Sequence, residues 1–381
     1  MIQTNPFTPQ SGLEPKFFSG RESALGEFLI LMEQAKDNRA EHFLVLGEWG
    51  VGKTSLLKQF KKIAQKQGFW TSFCGINKSQ AGEGLIPQLS LIIEEIMLGL
   101  PLKDEELVLL RKEFKLKGKK SHSLQIEFAK FLLRVWQEIK SPLAFVFLDD
   151  VQNFLPHVEI IDILRATLSR EDMIEKTKFS FLLSSTPQGW QNFLDKHDPV
   201  GRFFRRRIII EPFNREEVFR FIEGSLEGTG VDFTSPIKEK VFQYTQGHPY
   251  EVQLLSSHLF DSQLNGKVDE NSWEVALRNT LRDLGREYFE VLFHKASDRE
   301  KELLYIFSEK NRFLSLSDLR SIMILERKAK NFPIANIKNF VYRLEDKGLL
   351  KRRENTFMLT DSLFREYILK FKQDEETTRG G

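Results

Sequence analysis

The feature that most constrains this chain is a glycine-rich loop at residues 47–54. The loop reads Gly-Glu-Trp-Gly-Val-Gly-Lys-Thr; the apolar run 42–46 precedes it and a helix-like segment follows to residue 67. A strand, a Gly-x-x-x-x-Gly-Lys-Thr loop and a helix in this order predict a phosphate-binding loop, because glycines let backbone N–H groups wrap phosphates. The predicted nucleotide ligands are Gly47, Glu48, Trp49, Gly50, Val51, Gly52, Lys53, Thr54 and Ser55.

Within this loop, Lys53 is expected to neutralise the β- and γ-phosphate oxygens, and the Thr54 hydroxyl to ligate Mg²⁺. The apolar run 143–148 ends in Asp149 and Asp150. An acid at a strand's carboxyl end holds Mg²⁺ in nucleotide sites, so Asp149 is the predicted metal partner of Thr54 and Asp150 the group that polarises the attacking water. The alternative for Asp150 is an N-cap over residues 151–153.

The distance between the two motifs along the chain narrows the class of nucleotide-binding protein. Asp149 lies 96 residues beyond Lys53. This spacing is typical of ATPases in which an extra strand separates the loop strand from the acidic strand. The sequence contains no guanine-reading Asn-Lys-x-Asp, which favours ATP over GTP.

The remaining pattern predicts three domains and a tail. Apolar runs at 42–46, 69–74, 143–148, 179–183 and 208–211 alternate with helical segments, which indicates a doubly wound α/β P-loop core at residues 1–212 with a parallel sheet. An all-α lid is expected at 213–293. At 294–372, three helical segments and a hairpin around Glu354-Asn355 predict a winged helix-turn-helix. Residues 373–381 are predicted to be a disordered tail.

Together these features resemble the AAA+-related ATPases of the STAND and archaeal-type ATPase group, which is similar to the origin-recognition initiators. The likeness covers most of residues 5–260. Besides the loop and the two aspartates, it rests on short motifs, namely Asn5-Pro6-Phe7, Phe18-Ser19-Gly20-Arg21-Glu22, Ser184-Ser185-Thr186, Gly201-Arg202-Phe203 and Gly247-His248-Pro249.

The resemblance implies roles for several residues, each with a plainer alternative. An N-terminal segment lying against adenine would involve Pro6, Phe7, Phe18, Gly20 and Arg21, although the two Phe residues are as readily explained as core. Ser185 or Thr186 is the implied sensor of the γ-phosphate, with an ordinary turn as the alternative.

Two further roles concern a basic segment and the lid. Arg202 is implied to stabilise γ-phosphate charge within the chain or across a subunit interface, but Arg205, Arg206 and Arg207 crowd the same segment, and a solvated basic patch explains them equally well. Pro249 belongs to a turn implied to close on the nucleotide, with a helix-breaking turn as the alternative.

Two departures from the family pattern point to slow turnover. Many relatives place Glu after the magnesium-binding Asp, whereas this chain has Asp150, whose side chain is one methylene shorter. The lid motif is also followed by residues 250–253, Tyr-Glu-Val-Gln, without a sensor arginine. Nucleotide binding is then expected to act mainly as a conformational switch.

The charge distribution raises the question of a nucleic-acid partner. The whole chain carries a net charge of +2, but residues 294–372 hold 18 Lys and Arg against 11 Asp and Glu, a net of +7. This excess favours double-stranded DNA as a partner. The predicted contacts are Asn336, Lys338, Asn339 and Arg343 on the recognition helix and Lys351, Arg352 and Arg353 on the wing. A second basic run, 111–120, is better explained as a solvated segment.

Composition excludes other classes. No run reaches the roughly 18 apolar residues of a membrane helix, the first residues lack signal-peptide character, and a single Cys and seven His residues offer neither a disulfide nor paired zinc ligands. A cytoplasmic location is expected. The preferred function is a Mg·ATP-dependent, slowly hydrolysing switch that couples ATP or ADP binding to DNA. The alternatives are a STAND-type signalling or scaffold ATPase, whose winged helix contacts protein, its own core or another copy, and a nucleotide-binding module without hydrolysis.

Overall fold

The fold was analysed in a computed structural model. It describes residues 4–10, 14–37, 40–77, 84–114, 116, 121–155, 157–196, 199–326 and 333–379; of residues 121, 122 and 371–379 only the backbone is described. Part of the basic run 111–120 and the last two residues of the predicted tail lie outside this description. The described residues divide into two compact units.

The first unit, here called the core unit, spans residues 19–211 together with a short stretch around residue 14. Its described part contains five strands, β1 Phe43–Leu46, β2 Trp70–Gly75, β3 Ala144–Asp149, β4 Phe179–Ser185 and β5 Arg206–Ile209. The strands are parallel and form one sheet in the order β2-β3-β4-β1-β5. All residues of β1, β3 and β4 are buried, as expected for a parallel sheet covered on both faces.

Helices connect these strands, and their apolar faces complete the core. The helix at residues 53–66 has such an apolar face, since its buried residues Leu56, Leu57, Phe60 and Ala64 recur at helical spacing. The helices are α1 Glu22–Asp37, α2 Lys53–Lys66, α3 Leu85–Leu98, α4 Asp104–Glu113, α5 Ser121–Glu138, α6 Glu159–Leu168, α7 Glu171–Lys176, α8 Pro187–Leu194 and α9 Pro199–Phe203, with a 3-10 helix at Val151–Phe154. The α/β fold class with a parallel sheet is therefore confirmed.

Strand order positions the candidate site. In the sheet, β4 lies between β1, which leads into the glycine loop, and β3, which ends in Asp149. This is the extra strand that the motif spacing predicts. Because the strands are parallel, their carboxyl ends share one edge of the sheet, and Leu46 of β1 pairs with Ser185 of β4 there. The loop, the acidic pair and the serines are thus brought to one edge.

The second unit, here called the C-terminal unit, contains residues 4–9, 16–18 and all described residues from 212 onward. The N-terminal segment joins this unit because Phe7 is buried against Phe221, Phe233 and Phe260. The predicted domain 1–212 instead groups these first residues with the core. Since residues 213–293 and 294–372 fall in one compact unit, the boundary near 294 stays a prediction.

Residues 213–293 are mainly helical. The elements are α10 Arg215–Leu226, α11 Ser235–Thr245, α12 Pro249–Asp261, α13 Glu270–Leu284 and α14 Glu290–His294, with a π-helical turn at Gly285–Phe289. The described part also contains β6 Asp232–Phe233 paired with β7 Lys267–Val268, which the expected all-α lid lacks. Strands of two residues are too short to show an alternating pattern in sequence.

The remaining described residues form three helices, a hairpin and a final helix, with a short third strand beside the hairpin. They comprise α15 Asp298–Lys310, β8 Leu314–Ser315, α16 Leu316–Leu325, α17 Ile334–Asp346, β9 Leu350–Arg353, β10 Thr356–Leu359 and α18 Ser362–Arg379. The strands β9 and β10 pair antiparallel around Glu354 and Asn355, and β8 adds a third strand beside β10.

The end of the chain differs from the expected disordered tail. Helix α18 continues to Arg379, because the segment from Lys370 consists largely of residues compatible with a helix and contains no Gly or Pro before residue 380. In the described part of the chain, no helix combines the length and the apolarity needed to cross a membrane.

Candidate functional site

The glycine loop connects β1 to the N-terminus of α2. Gly50 and Gly52 have φ values of 75° and 97°, a left-handed conformation that glycine adopts without strain. A Cβ atom at Gly47 would lie 2.7 Å from side-chain atoms of Val51 and Ile210, so the loop passes too close to its surroundings for a side chain there. Gly52 provides the N-cap of α2 without a side-chain cap. The first N–H groups of this 14-residue helix are therefore arranged as in an anion-binding helix terminus.

Lys53 is buried at this helix start with only 6% of its surface exposed. Its Nζ atom donates a hydrogen bond to the Glu48 carbonyl oxygen over 3.0 Å, which folds the side chain back along the loop. Burial lowers the pKa of Lys53, while the nearby charges of Asp150 and Asp149 act in the opposite direction. The Lys53 ammonium thus lies at the start of α2 near two acids, and its predicted contact with phosphate oxygens stays a prediction.

Thr54 and Asp149 meet directly. The Thr54 hydroxyl donates to Asp149 Oδ2 over 2.6 Å, and Asp149 is only 4% exposed. Burial raises the pKa of Asp149, as does the charge of Asp150, while hydrogen bonds from Ser184 and Thr54 lower it. The two residues predicted to share a metal ion thus place oxygen atoms side by side.

Ser184 is a site residue that sequence reasoning missed. Its hydroxyl donates to Asp149 Oδ1 and accepts the Asp150 backbone N–H over 2.8 Å. Ser184 is fully buried and connects both acids to β4. The role of Ser184 depends on strand register: Leu148 pairs with Leu183, so Ser184 falls beside Asp149 at the next position.

Asp150 has a backbone conformation that is rare outside glycine, with φ 58° and ψ 47°. Although it precedes the 3-10 helix Val151–Phe154, no described backbone N–H of that helix is capped by its side chain. Its Oδ1 atom instead accepts a hydrogen bond from Gln152 Nε2 over 2.9 Å. The capping alternative therefore finds no support in the geometry, and the assignment of Asp150 as the base stays a prediction.

The two predicted sensor residues follow Ser184. Ser185 is buried, and its hydroxyl donates to the Thr186 carbonyl oxygen over 3.1 Å. The Thr186 hydroxyl accepts the Gly189 N–H and so caps α8. Thr186 thus has a structural role as a helix cap. That Ser185 or Thr186 senses the γ-phosphate stays a prediction.

The N-terminal motif is divided between the two units. In the core unit, Arg21 donates to the carbonyl oxygens of Val51 and Gly20 over 2.8 and 3.2 Å, which ties the segment after Gly20 to the glycine loop. In the C-terminal unit, Pro6 and Phe7 are buried and Phe18 is half-buried. Phe7 packs as a core residue there, in agreement with the alternative considered for it.

The lid turn also lies within the C-terminal unit. Gly247 has φ 76°, and its carbonyl oxygen accepts the Phe213 N–H over 2.8 Å. Pro249 begins α12, where a proline is tolerated because its missing N–H would have no helical partner. Its predicted contact with nucleotide stays a prediction.

The basic segment 202–207 leads into β5 and includes its first two residues. Arg206 pairs with Phe43 at the amino end of β1, whereas the glycine loop follows the carboxyl end of β1. Arg205 and Arg206 form ion pairs with Glu41, which precedes β1. Arg202 is exposed and adjoins Phe203, whose ring stacks on His42 at the start of β1 with centroids 4.6 Å apart. The structure does not bring these arginines to the glycine loop of the same chain. For Arg202, the part of the prediction that remains is a role across a subunit interface.

The predicted DNA-contacting residues of α17 are on the surface. Asn336, Lys338, Asn339 and Arg343 are exposed, whereas Ile337, Val341 and Leu344 are buried. Asn336, Asn339 and Arg343 line a shallow depression. Arg343 also lies 3.4 Å from a carboxylate oxygen of Glu300.

The wing residues differ among themselves. Arg352 and Arg353 are exposed, and the Arg352 guanidinium lies 5.6 Å from the ring centroid of Tyr342. Lys351 is half-buried and donates to Gln246 Oε1 at the end of α11 over 3.3 Å. This contact directs Lys351 toward its own chain, so it suits a DNA contact less well than its neighbours.

Comparison with known proteins agrees with this geometry. Residues 18–176 match the family model of the AAA ATPase domain. A protein of Methanocaldococcus jannaschii, described as an uncharacterized HTH-type transcriptional regulator, is 20% identical over an alignment of 334 residues. The alignment covers 81% of this chain and 79% of that protein.

Solved structures show the same fold. A Walker-type ATPase of Pyrococcus abyssi has a TM-score of 0.63 at 15% identity and covers 93% of this chain and 97% of its own. The Aeropyrum pernix ORC2 protein in its ADPNP-ADP complexes reaches 0.64 at 15% identity over 97% of this chain and 98% of its own. The Aeropyrum pernix ORC1 protein in complex with DNA reaches 0.50 at 16% identity over 97% of both chains.

Proposed function

We propose that this chain binds Mg·ATP at the glycine loop, hydrolyses it slowly and couples its nucleotide state to DNA binding. The match of residues 18–176 to the family model of the AAA ATPase domain supports the nucleotide part. The observation that carries the nucleotide part is the hydrogen bond between Thr54 and Asp149. These residues are 95 positions apart, and the fold brings their oxygen atoms to 2.6 Å beside the N-terminus of α2.

The residues fit a magnesium ion. Mg²⁺ prefers oxygen ligands and is usually held by one or two protein groups together with substrate phosphates and water. The Thr54 hydroxyl and the Asp149 carboxylate are such a donor pair, and Ser184 orients the carboxylate from behind. When bound, the ion neutralises phosphate charge; Thr54 and Asp149 are the residues that would hold it.

The other site residues have separate roles in phosphate binding and hydrolysis. The N–H groups of the loop and of the first turn of α2 bind phosphate oxygens, and the Lys53 ammonium neutralises charge that develops on the γ-phosphate. Asp150 orients a water molecule and accepts its proton. Since Asp150 is shorter than the Glu of many relatives, its carboxylate reaches the water less directly, which supports slow turnover.

Replacing Asp150 tests the ATPase directly. The Asp150→Asn variant removes the proton acceptor but keeps the size of the side chain, so we expect ATP affinity to stay within about twofold and turnover to fall at least about 100-fold. Calorimetry measures binding and phosphate release measures turnover. Asp195→Asn, at the exposed end of α8, is the matched control.

Three outcomes of these binding and turnover measurements would distinguish between the possible roles of Asp150 and of the nucleotide site. A wild-type turnover rate in Asp150→Asn would remove Asp150 from the chemistry. Wild-type protein that binds ATP but releases no phosphate would instead identify a nucleotide-binding module without hydrolysis. Loss of binding in Asp150→Asn would assign this residue to nucleotide affinity rather than to turnover.

The DNA part of the proposal rests on the C-terminal unit. Its three helices and hairpin match the element order of a winged helix, and α17 exposes Asn336, Lys338, Asn339 and Arg343 on a segment of net charge +7. One similar protein is described as an HTH-type regulator, and one structurally similar protein was solved with DNA. We interpret α17 as the recognition helix and β9–β10 as the wing.

A second candidate is favoured by contacts inside the C-terminal unit. Gln246 at the end of α11 donates to the Ser362 hydroxyl over 2.7 Å and accepts from Lys351 over 3.3 Å. The hairpin and α18 are thus bound to the helices that follow the core, as in a signalling ATPase whose winged helix contacts its own chain. Self-association or another protein partner would belong to this candidate.

Fluorescence anisotropy on duplex DNA distinguishes the two candidates. We expect binding at low salt that weakens steeply at higher salt and changes when ATP is added, because phosphate contacts release counterions. Lys338→Glu should weaken binding at least about 10-fold, whereas Lys267→Glu, an equal charge change on β7, should not. Absence of binding at low salt would rule out the DNA candidate and leave the signalling ATPase.

A further inference from the structure

Gln152 has contacts that the roles described so far do not use. It lies two residues beyond Asp150 in the 3-10 helix, and its Nε2 atom donates to Asp150 Oδ1 over 2.9 Å. Its Oε1 atom accepts the Thr186 backbone N–H over 3.3 Å. One amide group therefore links the acid after β3 to the residue after β4.

The chemistry of these two partners determines how the amide is oriented. A carboxylate only accepts hydrogen bonds and a backbone N–H only donates, so the nitrogen must face Asp150 and the oxygen must face Thr186. A carboxylic acid at position 152 would not satisfy both partners when ionised. The arrangement specifically requires an amide of the length of Gln.

The stem of Gln152 is also enclosed. A Cβ atom on Gly189 would lie 2.4 Å from Cβ of Gln152, so α8 approaches this close only because residue 189 is glycine. Gly189 in turn donates its N–H to the Thr186 hydroxyl over 3.1 Å. The same turn of α8 therefore confines the side chain of Gln152 and places the N–H that its oxygen accepts.

The neighbouring turn residue has a different task. Asn153 Nδ2 donates to the Ile76 carbonyl oxygen over 2.7 Å, which anchors the 3-10 helix to the end of β2. The Asn153 backbone N–H donates to the Asp150 carbonyl oxygen over 2.9 Å, but the side-chain anchor of Asn153 does not involve Asp150. Since Asn153 already anchors the turn, we look for the role of the contact between Gln152 and Asp150 in its effect on the orientation of the Asp150 carboxylate.

We propose that Gln152 is a positioning residue for ATP hydrolysis: its amide orients the Asp150 carboxylate and couples that orientation to the end of β4. The inference rests on the proposed ATPase function. Asp150 occupies a left-handed backbone conformation, and two hydrogen bonds keep it there: its N–H donates to the Ser184 hydroxyl, and its carboxylate accepts from Gln152. A shift of Ser185 or Thr186 on nucleotide binding would be transmitted to Asp150 through this amide.

Two substitutions at position 152 test this role in the full-length chain. Gln152→Ala removes both hydrogen bonds, and we expect kcat to fall about 10-fold with ATP affinity within about twofold, because orientation rather than binding is lost. Gln152→Glu keeps the size but opposes the charge of Asp150. We expect a loss of kcat at least as large as in Gln152→Ala, again with ATP affinity within about twofold, because an ionised Glu cannot donate to the Asp150 carboxylate.

Asn153→Ala is the matched control, since it removes a side-chain hydrogen bond from the same turn without touching Asp150. We expect it to lower the thermal midpoint and to leave kcat within about twofold of the wild type. Wild-type kcat in both Gln152→Ala and Gln152→Glu would overturn the inference. So would equal losses of kcat in Gln152→Ala and Asn153→Ala, which indicate a merely structural role. A wild-type protein without turnover would overturn the proposed ATPase as well, which separates the two failures.

Discussion

A pair of buried carboxyl groups in the C-terminal unit leads to a prediction about how the stability of this unit depends on pH. Glu251 on α12 is 8% exposed and shares a hydrogen bond with Asp361, which itself accepts the Phe364 N–H over 2.9 Å at the start of α18. Burial and the adjacent charge of Asp361 raise the pKa of Glu251 well above its usual value, so protonated Glu251 donates to Asp361. His248 Nδ1 lies 3.8 Å from Glu251.

The sign of the pH dependence follows from this raised pKa. Below the unfolded pKa of Glu, about 4.3, both states hold the proton and the stabilisation is fully present. Between that value and the folded pKa, only the folded state of Glu251 holds the proton. The free energy of unfolding therefore decreases by up to about 1.4 kcal/mol for each pH unit until the folded pKa is passed.

The variant Glu251→Gln should remove this dependence. Its amide still donates to Asp361 but does not titrate, so its stability should vary less with pH and should exceed that of the wild type at pH 8. Hydrogen exchange in peptides of α12 and α18 between pH 5 and 8, corrected for intrinsic rates, reports the unfolding free energy of this unit. Glu227→Gln, at an exposed position of the same unit, is the control. Equal pH slopes in wild type and Glu251→Gln would refute the reasoning.

Two further substitutions test local geometry. Gly247→Ala should destabilise the C-terminal unit by at least about 3 kcal/mol, because a Cβ at this left-handed position would lie 1.8 Å from a carbonyl oxygen. Gly228→Ala, also left-handed but without an atom within 4 Å, should cost only about 1–2 kcal/mol by urea unfolding. Ser184→Ala should lower Mg²⁺-dependent ATP affinity about 10-fold by calorimetry, because the Asp149 carboxylate loses its support. Ser180→Ala, at the other end of β4, should leave that affinity unchanged; equal losses in both serine variants would indicate a general strand effect.

The sheet and the loop were predictable because both depend on local signals. A buried parallel strand reads as an apolar run, and the glycine loop requires its residues at fixed spacing. Asp149 was recognised for the same reason, since an acid directly after an apolar run is visible in sequence. The meeting of Asp149 with Thr54 then follows from the strands sharing one edge of the sheet.

Other contacts were not predictable because they depend on register or on long-range packing. Ser184 supports Asp149 only because Leu148 pairs with Leu183, and a shift of one residue would turn its hydroxyl to the opposite face. Phe7 contacts the rings of Phe221, Phe233 and Phe260, which lie more than 200 residues away in sequence. The pairing of Arg205 and Arg206 with Glu41 depends on which strand is the neighbour of β1.

The most direct test of the central claim is the affinity for Mg·ATP of the wild type and of Lys53→Ala, measured by calorimetry. The account predicts a saturable binding heat for the wild type and a loss of at least about 100-fold in affinity for Lys53→Ala, because a cation at the phosphates is removed. Lys66→Ala, in the last turn of the same helix, should bind like the wild type. An unchanged affinity in Lys53→Ala would contradict the assignment of the glycine loop as the nucleotide site.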